Sequence, residues 1–358
     1  MTPEQFTAED IGFIASIAPT VFEEVTGSTP HDVPFFLLAG TADGDVTGGV
    51  DCDECDFYRI WQAAEGWKAS AYVQGADHND FNCCGFEDGV GPDLIGRDEA
   101  QGIAKSYLLA LARIWLDEDP TLLDIFRRGY VGFAPSGIAD HVVISTTYAD
   151  DPLVGPLVID DFQTEDDPTL ASSGSVVSGT VLDIAEGDLE DDDNVMTWDE
   201  GDSMNGMTQA TSYVDKAAGV SFRWDQGVDP SWTYELSSGV SNASTQRALT
   251  LTYAQLSRDP YTVQLSAPLA FTVTLIDADG VEAGVGFVDQ AQAPVPYQRM
   301  GAGDGAGWAD ELVTVQIPLA DFTLGSSLDL SRLATLRLEF GEGAAVGAIA
   351  LDSVGFVP

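Results

Sequence analysis

The apolar residues of the chain change their spacing near residue 157, and that change constrains the fold more than any other feature. Before it, apolar residues come in continuous runs or at helical intervals. IGFIASIAP (11–19) reads as a short buried strand stopped by Pro19, and VPFFLLAG (33–40) is an unbroken apolar run ending at a glycine. Runs of this kind belong to strands covered on both faces. A helical stretch over about 53–65 follows, then a strand KASAYVQG (68–75). In DEAQGIAKSYLLALARIWL (98–116) the apolar positions 100, 103, 104, 107, 108, 111, 114 and 115 give a helix one buried face. Asp98 and Glu99 suit its first turn, where carboxylates meet the positive end of the helix dipole. The order strand, strand, helix, strand, helix implies a parallel sheet with crossover helices.

From residue 157 the spacing becomes two. RALTLTYAQL (247–256), LAFTVTLIDADG (269–280), LVTVQIPL (312–319), LATLRLEF (333–340) and AIALDSVGFV (348–357) alternate apolar with polar and are separated by Gly, Asp and Pro turns. DADG (277–280) is a hairpin signal. About 200 residues of short strands without helices predict a sandwich. At 358 residues the chain is long enough for two domains with separate cores. The expected division is an α/β layer over 1–116, a connecting segment over 117–156 with one strand, HVVISTTY (141–148), and an all-β sandwich over 157–358. AEGDLEDDDNVMTWDEGDSMNGM (185–207) reads as a long acidic loop.

Charge narrows the partners. Against 59 acidic residues stand only 14 basic ones, for a net charge of −45, spread along the whole chain. Such a surface repels nucleic acid and anionic membranes, which excludes both as partners. It fits a protein kept soluble in high salt, where screening relieves the self-repulsion. An acidic calcium-binding extracellular protein has the same composition. No apolar run reaches membrane-spanning length. The first residues, MTPEQFTAED, have neither basic residues nor a signal-like core. Low lysine, high glycine and threonine and a β-rich pattern still point to secretion, so either a signal was removed or the open reading frame starts inside a longer one, and the second is the expectation.

Two strand ends carry candidate chemistry. GTADGDV (40–46) puts Asp43 after one parallel strand, and GADHNDF (75–81) puts His78 after the next. Functional groups of open α/β sheets collect there because the loops converge on a crevice. A buried Asp bonded to a His nitrogen fixes the tautomer and stabilises the imidazolium. Adjacent strands lie about 5 Å apart, close enough for the two loops to meet. The bland alternative is a loop histidine beside a turn aspartate. Asp45 is the fallback acid, while Asp77 and Asp80 read as solvated neighbours.

Strand–GTADGDV–helix–strand–GADHNDFN–helix resembles the last third of secreted α/β-hydrolases, the group of lipases, cutinase-like polyester hydrolases and chlorophyllase-like esterases. The resemblance covers about residues 10–116, and IASIAPT (14–20) is similar to the strand after the nucleophile helix. It implies a partial α/β-hydrolase sheet, with His78 as general base and Asp43 as its orienting acid. The family's Gly-x-Ser-x-Gly elbow is absent from this sequence. Ser16 sits inside a strand without the flanking glycines, and Ser136 comes after the histidine. The resemblance therefore implies an ester or polyester substrate only for a chain completed by an N-terminal part, and weak or no esterase activity here. It calls for no cofactor in catalysis.

Cys52 and Cys55 follow Asp43, while Cys83 and Cys84 follow His78. Two disulfides would tie the acid loop to the histidine loop, and polyester-hydrolase relatives often carry one nearby. A four-cysteine zinc site is the rival, although an adjacent pair chelates one tetrahedral metal poorly.

LVIDDFQT (157–164), VTVQIPLADF (313–322) and IALDSVGFV (349–357) resemble a jelly-roll of the galactose-binding or carbohydrate-binding-module type. That resemblance implies neighbouring first and last strands and a structural calcium near them, with Asp160, Asp161 and Asp352 as candidate ligands. Ordinary strand-end acids explain them equally well. Trp224, Trp232 and Trp308, with Trp198 and Tyr234, are candidates for a sugar-stacking platform, against the commoner role of aromatic residues as core. Two functions follow: a remnant or fragment of a secreted serine carboxylic-ester hydrolase with an accessory β-sandwich, or a non-catalytic module that binds a polysaccharide or cell-surface ligand.

Overall fold

The computed structural model describes residues 10–20, 29–46, 57–82, 94–127, 139, 142–151, 155–163, 167–189, 218–225, 229–256, 269–286, 293, 295, 297–299, 307–309, 311–341 and 346–358. In the first part, β1 (Ile14–Ile17), β2 (Phe35–Gly40) and β3 (Lys68–Val73) pair in parallel in that order. Strand β4 (Ile144–Ala149) runs antiparallel to β3 and closes that side of the sheet. The strand expected in a connecting segment thus belongs to the α/β sheet, which is mixed and not wholly parallel. The Ser70 and Thr147 hydroxyls bond to each other across this pair, satisfying two polar groups in a buried position.

Every residue of β2 is buried, and its alternation sorts side chains onto two faces. Phe36 and Leu38 join Ala69, Ala71, Val73 and the buried stripe Ile103, Tyr107, Leu111 and Ile114. Phe35, Leu37 and Ala39 face the other way, onto Phe57, Ile60 and Tyr72. Helix α1 (Tyr58–Ala63) supplies the second cover, and α2 (Arg97–Trp115) the first. Helix α2 starts after Gly96, at φ 78°, with Asp98 and Glu99 in its first turn as expected. Helix α3 (Asp124–Arg127) brings Phe126 into the same core.

The rest is a two-sheet sandwich. Its strands are β5 (Leu157–Asp160), β6 (Val176–Gly179), β7 (Leu182–Asp188), β8 (Ala218–Trp224), β9 (Ser231–Glu235), β10 (Ala248–Gln255), β11 (Thr272–Asp277), β12 (Glu282–Gly286), β13 (Tyr297–Arg299), β14 (Gly307–Ala309), β15 (Val313–Pro318), β16 (Leu333–Glu339) and β17 (Gly347–Val357). One sheet runs β15-β10-β17-β8-β7, with β5 also on β17, and the other runs β12-β11-β16-β9-β6. First and last strands are neighbours: β5 pairs antiparallel with β17. β13 and β14 form a separate hairpin. A short helix, α4 (Leu319–Thr323), interrupts the expected all-strand pattern.

Alternate residues of both sheets meet in one core, including Val220, Phe222, Leu249, Leu251, Val273, Leu275, Leu336, Leu338, Ile349 and Leu351. Phe222 stacks on Trp232 at 4.9 Å, and Trp224 on Phe340 at 4.8 Å. A bulge in β17 breaks the alternation. Thr252 pairs with Ser353 but Tyr253 with Leu351, which leaves Asp352 as the extra residue.

The two parts touch through β4 and β15. Asp150, just after β4, accepts from Gln316 Nε2 at 3.3 Å and Arg127 Nη2 at 3.4 Å, and Arg247 Nη2 lies 3.9 Å away. The Tyr148 hydroxyl donates to the same carboxylate. Thr252, Thr314 and Gln316 point away from the sandwich core yet are buried, as expected of a sheet face partly covered by its neighbour. Among the described residues, no helix is long and apolar enough to cross a membrane.

Candidate functional site

The ends of β2 and β3 are locked together by hydrogen bonds between the loops that follow them. Ala42 N donates to Ala76 O at 3.0 Å, and Gly75 N donates to Thr41 Oγ1 at 3.0 Å. Gly40 sits so close that a Cβ there would lie 2.2 Å from Ala76 O, so only glycine fits. This contact brings the acid loop against the histidine loop.

Asp43 is fully buried. Its Oδ1 accepts from Val46 N at 2.6 Å and Asp45 N at 2.9 Å, while Oδ2 lies 3.0 Å from His78 Nδ1. Burial pushes the Asp43 carboxyl above its ordinary value, against the pull of the Val46 N–H, the His78 ring and the Asp45 N–H. His78 opens a single 3₁₀ turn, His78–Phe81. Asp77 and Asp80 frame that turn by a reciprocal capping box: Asp80 N donates to Asp77 Oδ1 at 2.9 Å, and Asp77 N to Asp80 Oδ2 at 3.1 Å. Expected to be solvated, both are buried, at 2% and 6% exposure, because the box turns their carboxylates inward onto backbone N–H groups.

The His78 side chain is 25% exposed. Asp45 Oδ2 lies 3.8 Å from Nε2 on a side chain that is 70% exposed. The expected pair, His78 and Asp43, therefore meets, and the fallback acid stands at the opposite ring nitrogen. Chemically, the arrangement can take or deliver a proton at Nε2 while the buried carboxylate holds the ring. Ser16 lies within β1, paired in register with Leu37.

Cys52, Cys55, Cys83 and Cys84 lie outside the described residues, as do Ser136, Trp198, the side chain of Trp308 and residues 190–207 of the acidic stretch. The start of that stretch is ordered as the end of β7.

The expected aromatic platform is overturned at Trp224 and Trp232. Each is 1% exposed, and Tyr234 is fully buried. All three sit on the inward positions of β8 and β9, so their rings fill the core and cannot stack on a sugar.

Asp160, Asp161 and Asp352 do not assemble as a ligand set. Asp160 Oδ1 accepts from Ser172 N at 3.1 Å and Phe162 N at 3.3 Å, and Asp161 Oδ1 from Gln163 N at 3.2 Å. Among the described residues no group of three or more His, Cys, Asp or Glu side chains is arranged to hold a metal. Burial pushes the bulge residue Asp352 up to about 7, with Lys68 opposing and Asp161 reinforcing.

The outward face of the five-stranded sheet carries a site that alternation could have revealed. Positions 272 and 274 of β11, 231 and 233 of β9, and 337 and 339 of β16 are all polar and face away from the core. Glu339 stands between Thr272 and Ser231 in register, and Arg337 between Thr274 and Thr233. Where these strands end, a groove of about 420 Å³ is lined by Asp229, Ser231, Thr272, Arg337 and Glu339 over Pro230 and Phe340. Arg337 pairs with Glu339 at 3.3 Å and with Glu282 at 3.4 Å, and Glu339 Oε2 accepts from Thr274 Oγ1 at 2.6 Å.

No family model and no curated protein matches the chain. The solved structures it is similar to include carbohydrate-binding modules and glycoside hydrolases. One is a family 11 carbohydrate-binding module from Clostridium thermocellum in complex with a β-1,3-1,4-mixed-linked tetrasaccharide, at 11% identity over 57% of this chain and 96% of that one, TM-score 0.30. Another is the family 30 module of a cellulosomal cellulase from the same organism, at 10% identity over 56% and 96%, TM-score 0.33. A third is an arabinose-bound α-L-arabinofuranosidase, at 16% identity over 57% and 26%, TM-score 0.29. Likeness at this level assigns no ligand, activity or family.

Proposed function

We propose that this protein binds carbohydrate through its β-sandwich, on the outward face of the five-stranded sheet. The observation that carries this is the polar groove between β9, β11 and β16. Sugars present many hydroxyls in fixed directions, and a rigid sheet holding carboxylates, hydroxyls and a guanidinium in register offers matched donors and acceptors. Isothermal titration with a panel of soluble oligosaccharides tests it. At least one should bind, and Glu339→Gln should weaken it about tenfold or more, the loss of one charged hydrogen bond. Failure of every glycan to bind, or binding untouched by Glu339→Gln, overturns the proposal.

The 3.0 Å contact between His78 Nδ1 and Asp43 Oδ2 favours a second reading. The α/β layer is then the acid–base part of a secreted serine carboxylic-ester hydrolase, present here as a remnant or fragment, with the sandwich as its accessory domain. In an intact site His78 Nε2 would take the proton of a serine as it attacks an ester or polyester carbonyl, and Asp43 would hold the ring. Turnover of a short-chain nitrophenyl ester that His78→Ala abolishes supports this reading for the chain. A rate equal to that of buffer removes it. Secretion implies oxidised Cys52, Cys55, Cys83 and Cys84, and mass spectrometry after alkylation with and without reductant checks that.

A further inference from the structure

We infer that the sandwich groove selects glycans carrying free amino sugars, such as glucosamine oligomers, over neutral and acidic ones. This rests on the carbohydrate-binding reading and names the ligand class of that same site. The ionic balance of the groove is the first reason. Among the described residues its one cation is Arg337, held between Glu339 at 3.3 Å and Glu282 at 3.4 Å, so two carboxylates already flank the guanidinium. Asp229 lines the same groove, and no ion pair or hydrogen bond to its carboxylate exists among the described residues. Among the described residues the groove thus carries more carboxylate than guanidinium, within a protein of net charge −45.

A second observation is independent of charge. Arg337 Nε is buried and has no hydrogen-bond acceptor in proper geometry, although the Glu339 carboxylate stands at ion-pair distance. A buried N–H without an acceptor is destabilising, and a ligand oxygen that reaches it recovers part of that loss. A sugar hydroxyl or ring oxygen supplies such an acceptor. A protonated amine on the same residue supplies the donor and the positive charge that Asp229 lacks. A neutral sugar answers only the first need. A uronate offers the same acceptor oxygens, but its carboxylate is repelled by Asp229, Glu339 and Glu282.

The test is titration of the full chain with four probes of equal length: a glucosamine oligomer, its N-acetylated counterpart, a neutral glucose oligomer and an oligouronate. It is run at mildly acidic pH and repeated with Asp229→Asn, with polylysine as control. The expected result is glucosamine binding at least about tenfold tighter than the N-acetylated and neutral probes, and none for the uronate. Asp229→Asn should remove most of that preference while leaving polylysine binding unchanged, since one charge in a net −45 hardly alters non-specific attraction. Equal binding of the glucosamine, N-acetylated and neutral oligomers overturns the amino-sugar selection and leaves carbohydrate binding standing. The same holds if glucosamine binding survives Asp229→Asn intact. If no glycan binds, both fall.

Discussion

The two parts of this molecule put their polar side chains in opposite places. In the α/β layer β2 is buried from end to end, so its polar groups wait until the chain leaves the sheet, at Thr41 and Asp43. In the sandwich, β9 buries only every second residue and β16 does so from Leu336 onward, and the polar ones lie along the strands. A strand covered on both faces has no room for chemistry except at its ends, whereas a half-covered strand presents a whole face. One site is accordingly a compact pair held by loops, and the other a broad groove on a sheet.

That contrast is most exposed to failure at Trp232. As an inward core residue stacked on Phe222, its replacement by Ala should cost about 3–5 kcal/mol in urea unfolding, while the folded fraction keeps its glycan affinity. A cost below about 1 kcal/mol together with lost sugar binding would return Trp232 to the ligand face.

The contrast also explains what could be read from the sequence. The unbroken apolar run VPFFLLAG marks β2 and the stretch KASAYVQG marks β3, and with them the loops that carry Asp43 and His78. The pair was legible because strand ends are few. The groove was not, because Ser231, Thr272, Arg337 and Glu339 are far apart in sequence and look like ordinary outward polar residues until register aligns them. In SWTYE the aromatic residues drew attention as sugar platforms, yet their alternation with Ser231 and Thr233 already marks Trp232 and Tyr234 as inward. Asp77 and Asp80 read as solvated from sequence because the charge of an aspartate says nothing about a capping box.

A smaller effect tests whether the two parts are energetically separate. Asp150→Ala should leave Arg127 and Arg247 facing each other without their shared carboxylate, at a cost of about 1–3 kcal/mol given their partial exposure. If the junction couples the two parts, differential scanning calorimetry should change from one transition to two. Two transitions already present before the substitution would mean that each part folds alone.

The smallest expected effect falls on Asp352, the residue that the β17 bulge turns out of the core alternation. Its carboxyl is pushed from 3.8 up to about 7, chiefly by burial and further by Asp161, with Lys68 opposing. A carboxyl whose value is raised on folding favours the folded state while protonated. Its contribution is present in full below the unfolded value and is lost as pH rises through the folded one. The chain should therefore lose stability from this group between about pH 4 and pH 7, and stay at the lower level above that. Asp352→Asn removes the ionisation. It should raise stability by on the order of 1 kcal/mol at about pH 8, a gain kept small by the partial exposure of the side chain, and change little at about pH 4. Urea unfolding of both proteins at the two pH values measures it. A loss at the higher pH would mean that the Asp352 charge is held by Lys68 more firmly than burial opposes it. The bulge would then act as an ionic contact across the junction, which would make the two parts less separate than their polar patterns suggest.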